Sequence, residues 1–169
     1  MAVASNATPS MNAERFSLDT NVLVYAADRD AGERHGRACE ILERSARRRC
    51  TLTVQSLAEF FHATTRKGMV PKPQAAAQVR DWLALFPTVG ADAEALRTAL
   101  KAVEGGRFSF WDAMLLATAA AAGCKVVLSE DMREGAEIAG AVVRNPFAGA
   151  AFSPEVASIL GANTGQATT

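Results

Sequence analysis

The sequence predicts an α/β fold, a three-layer α/β/α sandwich with a central, mostly parallel sheet. Short apolar segments, such as residues 16–18 and 126–128, have the composition of buried strands. They alternate with longer segments whose apolar residues recur at helical spacing, such as residues 33–48 and 110–122. Strands that are separated by helices pair in parallel and carry helices on both faces of the sheet.

The elements follow one another along the chain with recognisable boundaries. We expect strands at residues 15–18, 50–54, 88–90, 125–128 and 141–143. We expect helices at residues 20–27, 33–48, 56–65, 74–86, 93–103 and 110–122. Gly68, Pro71 and Pro73 mark a tight turn between the third and fourth helices, which therefore form a hairpin.

The length of 169 residues and an apolar content of 49% predict one domain with a sizeable core. We expect this domain at residues 14–160. Residues 1–13 are small and polar without periodicity, so we expect a flexible leader there. Residues 161–169 consist mostly of Gly, Ala and Thr, and we expect a flexible tail.

The charge and the cysteines limit the setting in which the protein works. Lys plus Arg equals Asp plus Glu at 18 each, so a nucleic acid would be bound through a local basic patch. Arg66, Lys67, Lys72 and Arg133 are the candidates for such a patch. Cys39, Cys50 and Cys124 form no CxxC pair, which indicates free, buried thiols and a cytoplasmic location. No apolar run is long enough to span a membrane.

Four acidic residues lie at comparable junctions between a strand and a helix or just inside a helix. Asp19 follows the first strand, and Glu59 lies one turn into the helix after the second strand. Asp112 lies at the start of the most apolar helix, and Asp131 follows the strand that ends at Leu128. Ligands of open α/β sheets bind outside the carboxyl ends of the strands. We therefore expect the four carboxylates to meet at one edge of the sheet.

Each acid also has a simpler interpretation as a helix-capping residue. Asp19 has the position of an N-cap, and Asp131 has the position of a cap for the residues after it. Ser56 with Glu59, and Ser109 with Asp112, match the capping box of a hydroxyl followed three residues later by an acid. Capping explains each acid alone, and it is compatible with a shared site.

Four gathered carboxylates repel one another unless cations neutralise them, and Mg²⁺ or Mn²⁺ with oxygen ligands suits this role. Such ions activate water and stabilise charge during displacement at phosphorus. The sequence contains no arrangement typical of a Ser-His-Asp or Cys-His nucleophile and no Gly-rich phosphate loop. His35 and His62 are isolated and favour packing or surface roles.

Four motifs resemble those of the PIN-domain ribonucleases, and most closely the VapC-like toxins of type II toxin–antitoxin pairs. The motifs are Leu18-Asp19-Thr20-Asn21-Val22-Leu23-Val24-Tyr25, Ser56-Leu57-Ala58-Glu59, Trp111-Asp112-Ala113-Met114-Leu115-Leu116-Ala117-Thr118-Ala119 and Leu128-Ser129-Glu130-Asp131. The resemblance covers roughly residues 15–147, and the four motifs occur in the family's order and spacing.

The resemblance implies a Mg²⁺- or Mn²⁺-dependent endoribonuclease that cleaves RNA phosphodiester bonds. Asp19, Glu59, Asp112 and Asp131 would form its catalytic, metal-binding site, and Asn21 and Ser129 would support them through hydrogen bonds. It also implies a homodimer and an antitoxin protein partner held at the helical hairpin of residues 56–86. The hairpin's apolar side chains would serve either that groove or the core: Leu57, Phe60, Phe61, Trp82 and Leu85.

Two alternatives come from other functional classes. A haloacid-dehalogenase-like phosphatase also places an Asp after a strand, but it needs a second acid where this chain has Asn21. A non-catalytic PIN-like module that binds RNA or protein is the other alternative. The presence of all four acids favours the nuclease.

Overall fold

A computed structural model describes residues 14–162 of the chain. The expected leader, residues 1–13, and most of the expected tail, residues 163–169, lie outside the described residues. The helices are α1 (Thr20–Ala27), α2 (Glu33–Ser45), α3 (Val54–Arg66), α4 (Lys72–Leu85), α5 (Ala93–Glu104), α6 (Phe110–Ala121) and α7 (Pro154–Leu160). The strands are β1 (Phe16–Leu18), β2 (Leu52–Thr53), β3 (Thr88–Val89), β4 (Val126–Leu128), β5 (Glu137–Ile138) and β6 (Ala141–Arg144).

The sheet is mostly parallel, as the sequence predicts. A four-stranded sheet has the order β1-β4-β6-β5, in which only the β5–β6 pair is antiparallel. A parallel bridge between Phe16 and Cys50 joins β1 to the parallel pair β2–β3. In the register of β1 and β4, Leu18 lies opposite Leu128. The last residues of the two central strands are therefore neighbours at one edge of the sheet.

The sheet separates two apolar layers, which confirms the three-layer sandwich. Side chains alternate across β4, so that Val126 and Leu128 belong to one apolar cluster and Val127 to the other. The first cluster includes buried residues of α1, α2, α3, α4 and α7. The second is built by α5 and α6, whose contribution is mainly alanine, leucine and methionine. The small alanines of α5 let this helix lie close against α6.

Several element boundaries differ from the predicted ones, and the short 3₁₀ helix at Arg29–Ala31 was among the elements not predicted. Helix α3 begins at Val54 because the Thr53 side chain caps it, accepting a hydrogen bond from the Ser56 backbone. Ser56 is therefore not the helix-opening residue that the sequence suggested. Strand β5 and helix α7 were missed. Strand β5 is only two residues long and depends on a tight turn through Ala139 and Gly140, both of which have positive φ.

The cysteine prediction is partly wrong. All three cysteines are free, and Cys50 and Cys124 are buried, but Cys39 is exposed on α2. No helix within residues 14–162 is long and apolar enough to cross a membrane.

The α3–α4 hairpin packs some of its large apolar side chains into the core and leaves others exposed. Phe60 and Trp82 meet edge to face with ring centroids 4.7 Å apart. Leu57 is 2% exposed, whereas Leu83 and Leu85 on α4 are 47% and 58% exposed. The core interpretation therefore holds for Leu57, Phe60 and Trp82, and α4 keeps an apolar surface.

The same substitution at two leucines of the hairpin tests this division. Leu57→Ala should lower the free energy of unfolding by about 2–5 kcal/mol, because it leaves a cavity in the core. Leu83→Ala, on the exposed face of α4, should change it by about 0.5 kcal/mol or less. Urea denaturation of both variants measures the difference, and similar losses would contradict the packing described here.

Candidate active site

The site begins where β1 and β4 end side by side. The backbone N–H of Asp19 donates to the carbonyl of Leu128 at 2.9 Å, which fixes the two strand ends together. The Ser56 hydroxyl donates to the carbonyl of Leu18 at 3.0 Å, so the start of α3 is tied to the same place. Asp19, Ser129 and the first turn of α3 are thereby brought to one edge of the sheet.

The Asp19 carboxylate is held by three donors. The Thr20 backbone N–H donates to Oδ1 at 2.6 Å, so Asp19 is also the N-cap of α1, as its position suggested. The Ser129 hydroxyl and the Asn21 side-chain amide both donate to Oδ2, at 2.6 Å and 2.9 Å. The two residues expected to support the acids therefore lie in hydrogen-bonding contact with Asp19.

Asp19 lies in an environment that disfavours its negative charge. Burial, with the residue only 8% exposed, raises the pKa of Asp19 from 3.8 to about 6. The hydrogen bonds from Ser129 and Thr20 oppose this rise in pKa. The nearby carboxylates of Asp131 and Asp112 add to it. Three of the four acids therefore interact electrostatically, and Asp19 is the buried member.

Glu59 is connected to the same cluster through two neighbours that the sequence analysis did not identify. The Thr20 hydroxyl donates to Glu59 Oε2 at 2.8 Å, next to the capping bond of Asp19. The Gln55 amide donates to Glu59 Oε1 at 2.9 Å and to the Trp111 carbonyl at 3.0 Å, one residue before Asp112. Gln55 precedes Glu59 by four residues on α3, and this helical spacing is the sequence pattern that could have indicated their contact.

Asp112 and Asp131 line a common cavity of about 330 Å³. Asp112 is partly buried in the first turn of α6, where its backbone N–H donates to the capping Ser109 hydroxyl at 3.3 Å. Asp131 is exposed, and its backbone N–H donates to the Ser129 hydroxyl at 3.2 Å. The next element after Asp131 is strand β5 and not a helix, so Asp131 caps no helix, and Ser129 is the residue that stabilises the turn.

Glu130 anchors the turn from its outer side. Arg34 binds this carboxylate through two nitrogens, with the shortest distance 2.7 Å, and the Tyr25 hydroxyl donates to it at 2.8 Å. The Arg34 hydrogen bond lowers the pKa of Glu130. Burial, with help from Glu130, raises the pKa of Tyr25 to about 12. Glu130 is therefore committed to a structural contact while its neighbours Ser129 and Asp131 face the cluster.

The donor set suits a hard divalent cation. Within residues 14–162, no three His, Cys, Asp or Glu side chains are already arranged as a metal site. Carboxylates of like charge repel one another when no cation lies between them. Asn21 Oδ1 is buried without a hydrogen-bond partner in the described structure, so one more hard oxygen lies unsatisfied beside Asp19.

The predicted basic patch is only partly at this site. Arg133 lines the cavity beside Asp131, together with Arg107, which the sequence analysis did not single out. Arg66, Lys67 and Lys72 lie at the α3–α4 turn, and Arg66 is about two helical turns beyond Glu59. Those three residues therefore do not flank the acids. Arg107 was missed because its position depends on how the α5–α6 turn folds back toward the sheet edge.

The family follows from a match over most of the chain. The family model of the PIN domain matches residues 17–139, which include all four acids. The chain belongs to the PIN domain family. This membership rules out the haloacid-dehalogenase alternative, in agreement with the amide at Asn21. No curated protein sequence matches the chain significantly.

Solved structures with the same fold include VapC toxins and their complexes with antitoxins. VapC20 of Mycobacterium tuberculosis, described as a sarcin-ricin loop cleaving toxin, shares 16% identity with a TM-score of 0.54, covering 66% of this chain and 86% of its own. The DNA-bound VapBC of Salmonella typhimurium shares 18% identity with a TM-score of 0.58, and the match covers 78% of this chain and 98% of the Salmonella chain. VapBC2 of Rickettsia felis, bound to a promoter DNA fragment, shares 17% identity with a TM-score of 0.56, and the match covers 77% of this chain and 97% of the Rickettsia chain. These likenesses confirm the PIN fold that the motifs suggested.

The raised pKa of Asp19 predicts how stability depends on pH in the metal-free protein. Because the folded-state pKa lies above the usual value, ionisation of Asp19 lowers the free energy of unfolding as the pH rises from about 4 through 6. Asp19→Asn should therefore raise this free energy by roughly 2–3 kcal/mol at pH 8 and have little effect at pH 4. Urea denaturation in EDTA measures both values. The control is Asp81→Asn on the exposed surface of α4; an equal gain in the control would contradict the burial penalty at Asp19.

Proposed function

We propose that this protein is a metal-dependent endoribonuclease, the toxin of a toxin–antitoxin pair, whose site binds Mg²⁺ or Mn²⁺ through Asp19, Glu59, Asp112 and Asp131. The observation that carries the proposal is the buried Asp19 carboxylate, whose pKa is raised partly by two further acids at the same sheet edge. Such an arrangement is unfavourable without a cation and becomes favourable with one. The membership in the PIN domain family supports this use of the acids.

Each part of the site has a defined task in the proposed reaction. A bound divalent ion would activate a water molecule and stabilise negative charge on the phosphoryl oxygens. Asn21 and Ser129 orient Asp19 by donating to the same carboxylate oxygen, which leaves the remaining lone pairs for a ligand. Thr20 and Gln55 fix the Glu59 carboxylate. No side-chain nucleophile is needed.

The toxin part of the proposal rests on the solved relatives. VapC20 of Mycobacterium tuberculosis is described as a toxin, and a further structure of the same fold is described as a toxin–antitoxin complex from Klebsiella pneumoniae. Leu83 and Leu85 are exposed apolar side chains near the end of α4, and either would offer an apolar contact to an amphipathic helix of an antitoxin. We place the proposed pair in the cytoplasm, where its RNA substrate is found.

The homodimer is proposed on the second apolar surface. Leu96 and Leu100 are 39% and 44% exposed on α5, and their spacing of four residues places them on one face of the helix. Trp111 at the start of α6 is 61% exposed. Large exposed apolar side chains of this kind are typical of a surface covered by a partner.

Purified protein without any partner should cleave RNA in the presence of Mg²⁺ or Mn²⁺ and stop when EDTA is added. Asp112→Asn should lower the cleavage rate on the order of 100-fold or more, because an amide binds a divalent cation more weakly than a carboxylate. Asp92→Asn, at the N-cap of α5, is a matched control outside the cluster. Denaturing gels with labelled RNA measure the rates. Equal rates for wild type and Asp112→Asn would overturn the assignment, as would a loss of the same size in the control.

Expression of the protein alone should arrest growth of a bacterial host, because cleavage of essential RNA stops translation. The Asp112→Asn variant, expressed to the same level, should permit growth, and so should co-expression of the small antitoxin that we expect to be encoded next to this chain. Growth curves and immunoblots measure the outcome. Normal growth with active wild-type enzyme would contradict the toxin role but not the nuclease activity.

A further inference from the structure

The cavity beside Asp112 and Asp131 has two arginines on its rim. One wall is the turn between α5 and α6, which carries Arg107, and the other wall is the loop after β4, which carries Arg133. Both arginines are exposed. The volume of about 330 Å³ is at the lower end of the range of small-ligand pockets. Acids and arginines thus share one open cavity.

Arg107 and Arg133 differ from several other arginines of this protein in that their guanidinium groups are not paired with a carboxylate of the described residues. In the part of the chain that the structure describes, the arginines that form ion pairs with glutamates include Arg34, Arg44, Arg47, Arg97 and Arg144. Within residues 14–162, neither Arg107 nor Arg133 forms an ion pair with a side-chain carboxylate. The Arg107 guanidinium instead lies 6.0 Å from the centre of the Phe108 ring. Both positive charges therefore remain available to an anionic ligand.

The loop that carries Arg133 is fixed before any ligand arrives. The Met132 backbone donates to the Ser129 hydroxyl at 3.3 Å, and the Met132 side chain is buried. The Gly135 backbone donates to the carbonyl of Val143 in β6 at 3.0 Å. Arg133 therefore projects from an anchored loop, so binding a ligand there requires little ordering of the backbone.

We propose that this cavity binds the phosphodiester group next to the one that is cut, with Arg107 and Arg133 as its ligands. This inference rests on the proposed nuclease function and adds where the substrate strand lies. A flanking phosphate carries a negative charge and would be repelled by Asp112 and Asp131. Two unpaired guanidinium groups at the same cavity offset this repulsion and supply the planar donors that suit phosphate oxygens.

The location of Arg107 and Arg133 also fits the neutral net charge of the chain. An enzyme without an overall positive charge needs local cations where the strand must pass its acidic centre. The contacts to a flanking phosphate are present in both the ground state and the transition state. Their loss therefore raises KM and leaves kcat nearly unchanged.

The variant Arg107→Gln/Arg133→Gln tests the proposal through its salt dependence. Steady-state cleavage of a single-stranded RNA is measured at several salt concentrations, with binding measured in the Asp112→Asn background by fluorescence anisotropy. The slope of log binding constant against log salt should become shallower by about 0.7, since the two arginines bind one phosphate and each phosphate contact on a single strand contributes about 0.7. The KM should rise several-fold and kcat should stay within about twofold.

A control of equal charge is Arg66→Gln/Arg80→Gln, two exposed arginines on the α3–α4 hairpin. Its slope should equal that of the wild type. If the wild-type protein cleaves RNA and the cavity variant keeps the wild-type slope, the inference is overturned and the nuclease function stands. If the wild-type protein neither binds nor cleaves RNA, the proposed function fails and the inference fails with it.

Substrates with one uncharged phosphate locate the contact. In a series of RNAs, each with a single methylphosphonate beside the cut bond, wild type should lose several-fold in kcat/KM at one flanking position. The cavity variant should show no additional loss at that position, because the contact is already absent. An equal loss in both proteins would place the flanking phosphate elsewhere and overturn the assignment.

Discussion

The burial of the Asp19 carboxylate, beside two further acids at one edge of the sheet, is the constraint on which the rest of the site depends. The parallel pairing of β1 and β4 brings Asp19 next to Ser129 and leads the chain on to Asp131. Asp112 enters from α6, on the opposite face of the sheet, and also interacts electrostatically with Asp19. A fold that used these residues only as helix caps would have no reason to bury one of them among the others.

The neighbours of the acids keep this unfavourable arrangement in place. Asn21 and Ser129 hold Asp19 by two hydrogen bonds to one oxygen. Glu130 forms an ion pair with Arg34, which restrains the turn between Ser129 and Asp131 at the sheet edge. The burial of Asp19 lowers the free energy of unfolding, and the surrounding hydrogen bonds and the apolar core compensate for this loss. This division is common where a site must receive a charged ligand.

Much of the fold and the approximate position of the acids could be predicted from the sequence, because both depend on short-range patterns. The apolar strand before Asp19 and the helical spacing after it define a strand–helix junction without reference to the rest of the chain. Contacts between distant segments were not predictable in this way. The bonds from Thr20 and Gln55 to Glu59, and the position of Arg107 beside Arg133, depend on how α3 and the α5–α6 turn pack. The hairpin of β5 and β6 was missed because β5 is short. Its turn also places Ala139 at positive φ, and an alanine does not signal such a conformation.

Diffraction from Mn²⁺-soaked crystals, measured at the manganese absorption edge, tests the central claim most directly. A metal bound to this cluster would give an anomalous peak about 2 Å from a carboxylate oxygen of Asp19, with oxygens of Asp112 or Asp131 completing its ligands. The absence of a peak at this edge of the sheet, in crystals that bind Mn²⁺ elsewhere, would contradict it.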